Sequence, residues 1–205
     1  IKGLDILRVK PGEKSKSFTV KNSLDEKLLE KKFNRNSLII GFGGGVVGDL
    51  SGYVAATILR GIDLVHIPTS LIAIVDSSIG GKTGINSKNG KNLIGSFYNP
   101  KEILINSEFI NTLSLKEIRQ GLSEIIKYGV IKNEKIFNIL EKSNKVFMQN
   151  HMKNIDKIIK ECIKIKIDTV EKDFKENDLR SILNFGHTIG HALEKKYSYK
   201  FSILL

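Results

Sequence analysis

Residues 41–92 contain the turns and side chains whose chemistry is read most directly from the sequence. Gly43, Gly45 and Gly48 match the pattern G-x-G-x-x-G between a predicted strand and a predicted helix. At such a junction glycines let the backbone approach a pyrophosphate, and the N–H groups of the helix N-terminus favour its charge. Glycine-rich turns also serve tight packing, so the motif alone leaves both interpretations open. In the usual motif an acidic residue that binds the ribose follows about 20 residues later, at the end of the next strand. Asp63 has this distance, but it precedes its strand.

A second set of polar residues follows on a glycine-rich segment that we predict to be a surface loop. It contains the carboxylate of Asp76, the ammonium groups of Lys82 and Lys91, and the amide of Asn92. Lysines are flexible point charges that suit phosphate. A mobile, solvated loop with ordinary lysines is the alternative interpretation.

Two pairs of residues in the second half of the chain each share one face of a predicted helix. Glu124 and Lys127 are three positions apart, and His187 and His191 are four apart. A histidine pair one turn apart can bind a divalent metal ion, and a carboxylate from another helix would complete the site. The spacing does not say whether both histidines are ligands. A glutamate and a lysine at this spacing are more often a surface ion pair.

The elements that carry these residues change in character along the chain. In the first half, short apolar runs alternate with glycine turns, which predicts buried strands over residues 38–42, 64–68 and 102–106 and a helix over 46–59. From Ser114 onward, apolar residues recur every three or four positions, which predicts helices. We therefore predict an α/β part followed by a helical part.

Composition favours a globular protein and argues against several other classes. The 205 residues carry a net charge of +11, but the excess is spread evenly, with 15 basic against 10 acidic residues up to Leu113 and 18 against 12 from Ser114. Such dispersed charge indicates solvated helix faces and not a nucleic-acid surface. Because no apolar run approaches 18 residues and no signal peptide is recognisable, we expect no membrane segment.

The cysteine and the two remaining histidines favour structural roles. Cys162 is the single cysteine, which excludes an internal disulfide and a thiolate metal cluster and suits a reducing cytoplasm. It falls in the apolar register of a helix, where we predict a buried filler. His66, inside a predicted strand, and His151, at a polar helix start, are interpreted as structural or solvated.

Six motifs together resemble 3-dehydroquinate synthase, the cyclase of the shikimate pathway. They follow one another with the order and spacing of that family over nearly the whole chain: GGGVVGD at 43–49, PT at 68–69, VDSSIGGK at 75–82, GKNLIG at 90–95, GLSEIIKY at 121–128 and NFGHTIGH at 184–191. The resemblance implies an α/β fold in which an incomplete Rossmann-like NAD-binding domain is followed by an all-helical metal- and substrate-binding domain. We place these domains at residues 1–113 and 114–205.

The resemblance also implies which residues bind each ligand. Glu13 would take the adenosine ribose of NAD from a position upstream of the glycine turn. The implied cofactor-binding set is Glu13, Lys16, Gly43, Gly44, Gly45, Val46, Gly48, Asp49, Thr69, Ser70, Asp76, Lys82 and Lys91. The implied substrate-binding set is Arg60, Asp76, Lys82, Lys91, Asn92, Lys127, Lys166, Arg180 and Asn184.

The metal site and the catalytic groups follow from the same resemblance. Glu124 and His187 would bind the metal ion, zinc or alternatively cobalt, together with a third histidine further along the family's chain. His191 would be a base or relay with Glu176 behind it. The implied catalytic set is Lys82, His191, Glu176, Lys127, Arg180 and Asn184.

The implied activity is that of an NAD- and metal-dependent lyase that eliminates phosphate and closes a carbocycle. Its substrate would be 3-deoxy-D-arabino-heptulosonate 7-phosphate and its product 3-dehydroquinate. We expect a cytoplasmic homodimer that binds this small sugar phosphate and neither nucleic acid nor a membrane. Related sugar-phosphate cyclases making inosose or valiolone-type products share most motifs and stay an alternative, as does a non-catalytic remnant or basic binding module.

The end of the chain departs from the family pattern. The family continues into a His-Gly-Glu segment that supplies the third metal ligand, whereas this chain has no histidine after His191. The start also lacks the first strand and helix of the cofactor domain. We therefore expect a fragment truncated at both ends that binds a metal ion weakly, because one glutamate and one histidine are too few ligands.

Overall fold

In the computed structural model, residues 4–142 and 155–196 are described, and they form two compact units. The first unit contains the described residues up to 67 together with 81–104. The second contains 68–80 and the described residues from 105 onward. The domain boundary after residue 113 stays a prediction. The division into units differs from this boundary in one respect. The segment 68–80, which comes before residue 113, packs within the second unit.

The first unit combines two sheets with two helices. Its helices and strands, in chain order, are α1 (Phe18–Glu30), β1 (Leu38–Gly43), α2 (Gly45–Thr57), β2 (Asp63–Pro68), β3 (Lys82–Ser87), β4 (Gly90–Phe97) and β5 (Glu102–Ile103). β1, β2 and β5 form a three-stranded sheet in that order, and β2 runs parallel to β5 with His66 opposite Ile103. β3 and β4 form an antiparallel hairpin with Gly84 opposite Gly95.

The strands and the helix predicted for the first half are present, but the predicted burial of one strand is wrong. β1, α2 and β2 begin and end close to the predicted limits, and β5 is shorter than predicted. The expected burial fails for β1, where Leu38, Ile40 and Phe42 are 46 %, 45 % and 57 % exposed. Successive side chains of a strand point to opposite faces, and the described residues cover only the face that carries Ile39 and Gly41.

The second unit is helical, as predicted. Its helices are α3 (Leu115–Ile131), α4 (Glu134–Lys142), α5 (Ile155–Lys172) and α6 (His187–Lys196). α3 begins at a capping box, in which the Ser114 and Glu117 side chains each bond the other residue's backbone N–H. No helix in the described ranges is long and apolar enough to cross a membrane.

One apolar core holds the second unit together. α3 contributes Ile125 and α5 contributes Ile158 and Cys162, and these pack in a cluster with Leu71 and Ile74 from the segment 68–80. Cys162 is fully buried, which confirms its predicted role as a filler. Burial raises the pKa of its thiol to about 12, so it stays protonated.

Candidate functional site

The glycine turn connects β1 to α2 in the first unit. β1 ends at Gly43 and α2 begins at Gly45, so Gly44 precedes the first helical turn and has no side chain to cap it. The first N–H groups of a helix lack intrahelical acceptors, and the helix dipole adds positive potential there. Such an N-terminus can bind a pyrophosphate. A Cβ at Gly43 would lie 2.6 Å from Cγ2 of Val47, so tight packing requires this glycine as well.

A buried lysine connects α2 to the β3–β4 hairpin. Lys16 is 4 % exposed, and its Nζ lies 2.5 Å from Oδ2 of Asp49 and 3.5 Å from Oε1 of Glu13. It also donates a hydrogen bond to Oδ1 of Asn92, 2.5 Å away in β4. The structure therefore brings together three residues predicted to bind the cofactor and one predicted to bind the substrate.

The prediction of a surface loop after residue 75 is wrong for most of that segment. Ala73–Ser77 is a π-helix, and residues 78–81 are buried. Lys82 starts β3, while Lys91 and Asn92 lie in β4, and all three are exposed. Leu71, Ile74 and Val75, which lie just before these residues, pack in the core of the second unit, and Ile79 is 8 % exposed. π-Helical turns are frequent at functional sites.

Three further residues of the predicted sets lie at the ends of elements. Arg60 is exposed in the turn after α2, with a φ of +68°. Thr69 and Ser70 follow Pro68, the first residue of the segment 68–80, and Oγ of Ser70 accepts a hydrogen bond from the N–H of Ala73. Their binding roles stay predictions.

Asp76 is the centre of a charge network in the second unit. Its Oδ1 lies 2.7 Å from Nζ of Lys166 and 4.0 Å from Nζ of Lys127, and it accepts a hydrogen bond of 2.6 Å from the Tyr128 hydroxyl. Burial by itself would raise the pKa of Asp76, but the charges of the two lysines and the hydrogen bonds hold it well below its usual value. Asp76 is therefore a carboxylate at neutral pH.

Lys127 links this network to Glu124. Its ammonium contacts Oε2 of Glu124, and Oε1 of the same carboxyl lies 3.8 Å from Nε2 of His187. Glu124 is 2 % exposed and Lys127 is 8 % exposed, so the interpretation of this pair as a surface ion pair is wrong. Burial, together with the charge of Asp76, raises the pKa of Glu124.

Glu124 and His187 offer donors of the kind that the predicted metal ion requires. Oε2 of Glu124 is buried and accepts no directed hydrogen bond from the described residues, although the Lys127 ammonium lies against it. A carboxylate oxygen and an imidazole nitrogen both suit zinc or cobalt. No group of three His, Cys, Asp or Glu side chains that could hold a metal occurs within 4–142 and 155–196. The side chain of His191, like His151, lies outside the described residues.

The remaining predicted residues of the second unit make close polar contacts. Arg180 is 1 % exposed and donates to the carbonyl of Phe174 at 2.6 Å and to that of Gly80 at 3.1 Å. Nδ2 of Asn184 donates to Oε1 of Glu176 at 2.8 Å. Arg180 thus ties the end of the segment 68–80 to the turn after α5. The substrate-binding and catalytic roles of these residues stay predictions.

Two family models together match almost the whole chain. The model of the 3-dehydroquinate synthase N-terminal part matches residues 6–120, and the model of the C-terminal part matches residues 121–203. This chain belongs to the 3-dehydroquinate synthase family. The resemblance predicted from its motifs is confirmed.

Curated members of the 3-dehydroquinate synthase family are similar over nearly all of this chain. The enzyme of Dictyoglomus thermophilum is 51 % identical over 195 residues, and that of Clostridium perfringens strain 13 is 50 % identical over 198 residues. The alignments cover 95 % and 96 % of this chain but 55 % and 56 % of the relatives. The chain thus spans about half the length of the curated relatives it matches.

Solved cyclases share the fold of this 3-dehydroquinate synthase family member, which confirms the predicted fold class. ValA, a 2-epi-5-epi-valiolone synthase from Streptomyces hygroscopicus subsp. jinggangensis 5008 with NAD+ and Zn2+ bound, superimposes with a TM-score of 0.88 at 25 % identity. A 2-deoxy-scyllo-inosose synthase with carbaglucose-6-phosphate, NAD+ and Co2+ has a TM-score of 0.86 at 29 % identity. They match 96 % and 98 % of this chain and 55 % of each solved chain.

Sequence reasoning does not single out one residue at the centre of this family member's charge network. Tyr128, the last residue of the motif GLSEIIKY, is fully buried, and its hydroxyl lies 2.6 Å from Oδ1 of Asp76. It follows Lys127 directly and lies four positions after Glu124, which places it on the same side of α3 as that glutamate. This spacing is the signal that could have identified it.

His66 is a buried histidine in the first unit. It is 5 % exposed, and its Nδ1 makes no hydrogen bond with the described residues. Burial lowers its pKa from the usual 6.5 to about 4, because the imidazolium cation loses its hydration. Of the two interpretations offered by the sequence, structural or solvated, burial favours the structural one.

We expect this depressed pKa to make the free energy of unfolding fall as the pH falls from 6.5 towards 4. Above pH 6.5 His66 is neutral in both states and adds no pH dependence, whereas below it the unfolded chain binds a proton that the folded chain rejects. The full difference corresponds to about 3 kcal/mol, of which roughly 2 kcal/mol is lost between pH 7.5 and pH 5. Urea unfolding at these two pH values measures the loss of unfolding free energy. In His66→Gln this loss should be smaller than in the parent protein by that amount. Equal losses in both proteins would contradict the assignment.

Proposed function

We propose that this chain performs the 3-dehydroquinate synthase reaction, converting 3-deoxy-D-arabino-heptulosonate 7-phosphate into 3-dehydroquinate and phosphate. The observation that carries the proposal is the continuous network of Lys166, Asp76, Lys127, Glu124 and His187 in the second unit. It joins candidate substrate-binding groups to candidate metal ligands. Membership of the family supports the reaction class, a carbon–oxygen lyase.

NAD and a divalent ion, zinc or cobalt, are the proposed cofactors. Their presence in the two solved cyclases supports this choice. In this chain the first turn of α2 would hold the pyrophosphate, Glu13 the adenosine ribose, and Glu124 with His187 the metal ion. When bound, NAD would supply reversible hydride transfer and the metal ion would polarise substrate hydroxyls, so that no net oxidation would result.

The chain's own charged residues would bind and orient the substrate. Asp76 is a carboxylate that can accept a hydrogen bond from a sugar hydroxyl. The positive charges of Lys127 and Lys166 would offset the combined negative charge of Asp76 and the substrate. We assign the substrate phosphate to Lys82. Holding the reacting groups of the substrate in one orientation lowers the entropic contribution to the activation free energy. The remaining substrate contacts are assigned to Arg60, Lys91, Asn92, Arg180 and Asn184.

Proton transfer is assigned to His191, with Glu176 as the carboxylate behind it. Glu176 accepts a hydrogen bond from Asn184, which supports a position near the substrate set. We further propose that the protein works as a homodimer in the cytoplasm. The buried single cysteine, which needs no oxidising compartment, agrees with this location.

A related sugar-phosphate cyclase is the second candidate function. The two solved cyclases of similar fold are named for other products, 2-epi-5-epi-valiolone and 2-deoxy-scyllo-inosose, which favours keeping this alternative. Their identities of 25 % and 29 % are well below the 51 % and 50 % of the 3-dehydroquinate synthases. The closer relatives favour the synthase.

The test is a turnover assay with the purified chain, NAD and Zn2+ or Co2+. We expect 3-deoxy-D-arabino-heptulosonate 7-phosphate to release phosphate and 3-dehydroquinate in equal amounts, without accumulation of NADH. Omitting NAD is the control and should stop release. Turnover of glucose 6-phosphate instead would favour the inosose-type alternative. Absence of phosphate release from 3-deoxy-D-arabino-heptulosonate 7-phosphate would contradict the proposed synthase activity of this chain.

A further inference from the structure

Tyr128 donates its only hydroxyl proton to the carboxylate of Asp76. The ring is fully buried in the core of the second unit, and the hydroxyl lies 2.6 Å from Oδ1 of Asp76 and 3.2 Å from the carbonyl of Val75. A phenol has one proton, which goes to the nearer and charged acceptor. Burial, and then the charge of Asp76, raise the pKa of Tyr128 well above its usual value, so the phenol keeps this proton.

Among residues 4–142 and 155–196, the side chains that make polar contacts with the Asp76 carboxylate all approach the same oxygen. Tyr128, Lys166 and Lys127 all approach Oδ1, at 2.6, 2.7 and 4.0 Å. Within the residues that the structure describes, Oδ2 has no such neighbour, and the Asp76 side chain is 22 % exposed. A carboxylate oxygen has two lone pairs and binds a hydroxyl donor readily.

We propose that Tyr128 is a positioning residue that holds Oδ1 of Asp76 and thereby presents Oδ2 to a hydroxyl of the sugar phosphate. This inference rests on the proposed function, because the ligand is the substrate of that reaction. A lysine ammonium can follow a rotating carboxylate, since it has three donors on a flexible stem. The phenol of Tyr128 cannot, because its ring is fixed in the core and its reach is set by the backbone of α3.

The decisive variant is Tyr128→Phe, which keeps the volume of the ring and removes only the donor. Isothermal titration of 3-deoxy-D-arabino-heptulosonate 7-phosphate into the chain with Zn2+ but without NAD, so that no turnover occurs, should show binding about tenfold weaker, the effect of one hydrogen bond to a charged group. The matched control is Tyr98→Phe, whose hydroxyl donates to the carbonyl of Ile62 at 2.8 Å in the first unit. We expect this control to bind as the parent does.

A double-mutant cycle separates positioning from a merely structural role. In an Asp76→Asn background, Tyr128→Phe should have no further effect on affinity, because the carboxylate that it positions is gone. A tenfold loss in that background as well would overturn the inference. So would unchanged affinity of Tyr128→Phe in the parent background.

Crystal structures provide a readout that does not depend on binding or on turnover. In Tyr128→Phe we expect the Asp76 carboxylate to rotate away from its parental orientation, and an unchanged carboxylate would overturn the inference. If the variant does not fold, a crystal structure of the parent protein with substrate tests the proposal. A substrate hydroxyl bound to Oδ1 of Asp76 instead of Oδ2 would contradict it. If the parent binds no substrate, the proposed function fails, while rotation of Asp76 in the variant still reports the positioning.

Discussion

Replacing Glu124 by glutamine should weaken the binding of Zn2+ or Co2+ by roughly a hundredfold or more, since it removes the only charged candidate ligand in the described residues. The Glu124 carboxyl is 2 % exposed, its Oε2 has no directed hydrogen bond with the described residues, and its Oε1 lies 3.8 Å from the His187 imidazole. Glutamine has nearly the same shape but no charge. Equilibrium dialysis with metal analysis measures the change, and circular dichroism checks that the variant folds.

The control for this substitution is Glu161→Gln in α5. Glu161 undergoes the same chemical change, but its side chain is 42 % exposed and pairs with Lys164 and Asn133. We expect it to leave metal affinity unchanged. Equal affinity of Glu124→Gln and the parent would refute the metal assignment. Tight binding of one equivalent of zinc by the parent would refute the separate expectation that this chain binds metal weakly.

Replacing Gly95 by alanine should lower the free energy of unfolding by roughly 3 kcal/mol or more, the range of severe steric substitutions. A Cβ at this position would lie 2.0 Å from the carbonyl oxygen of Thr83 and 2.9 Å from Cα of Gly84. Both atoms belong to the backbone of β3, so the clash can be relieved only by separating the strands. The hairpin carries Lys82, Lys91 and Asn92, so we expect their geometry to be lost together with the stability.

Gly48→Ala is the matched control for the hairpin variant. The nearest atom to its added Cβ would be Cε1 of His66 at 3.9 Å, which is an ordinary contact. Because Gly48 lies inside α2, alanine should leave stability unchanged or raise it by about 0.5–1 kcal/mol. Urea unfolding at pH 7.5 measures both variants. A stability loss of Gly95→Ala no larger than that of Gly48→Ala would contradict the steric argument.

Local patterns in the sequence are sufficient for most helices and strands of this chain. The glycine turn at β1–α2 and the apolar periodicity of α3 and α5 depend on neighbouring residues only, so their positions are predictable. Two expectations fail where the answer depends on distant residues. The outer face of β1 is exposed, and residues 78–81 are buried, because covering an element requires packing partners that periodicity does not identify.

The candidate site shows the same division. The family resemblance implies that Asp76, Glu124, Lys127 and Lys166 belong to the site. By itself, however, the spacing of Glu124 and Lys127 along a helix is typical of a surface ion pair. Their burial follows only from the packing of α3 in the core of the second unit. Tyr128 enters the network for the same reason.

The order and spacing of motifs along the chain determine the family and the succession of strands and helices, because both are properties of neighbouring residues. The tertiary structure alone decides which charges meet and how they ionise. Lys166 reaches Asp76 from 90 positions away, and Glu124 becomes a buried carboxyl with a raised pKa. These outcomes depend on distance in space and on the exclusion of water, since Coulomb energies and desolvation follow three-dimensional geometry and not position in the chain.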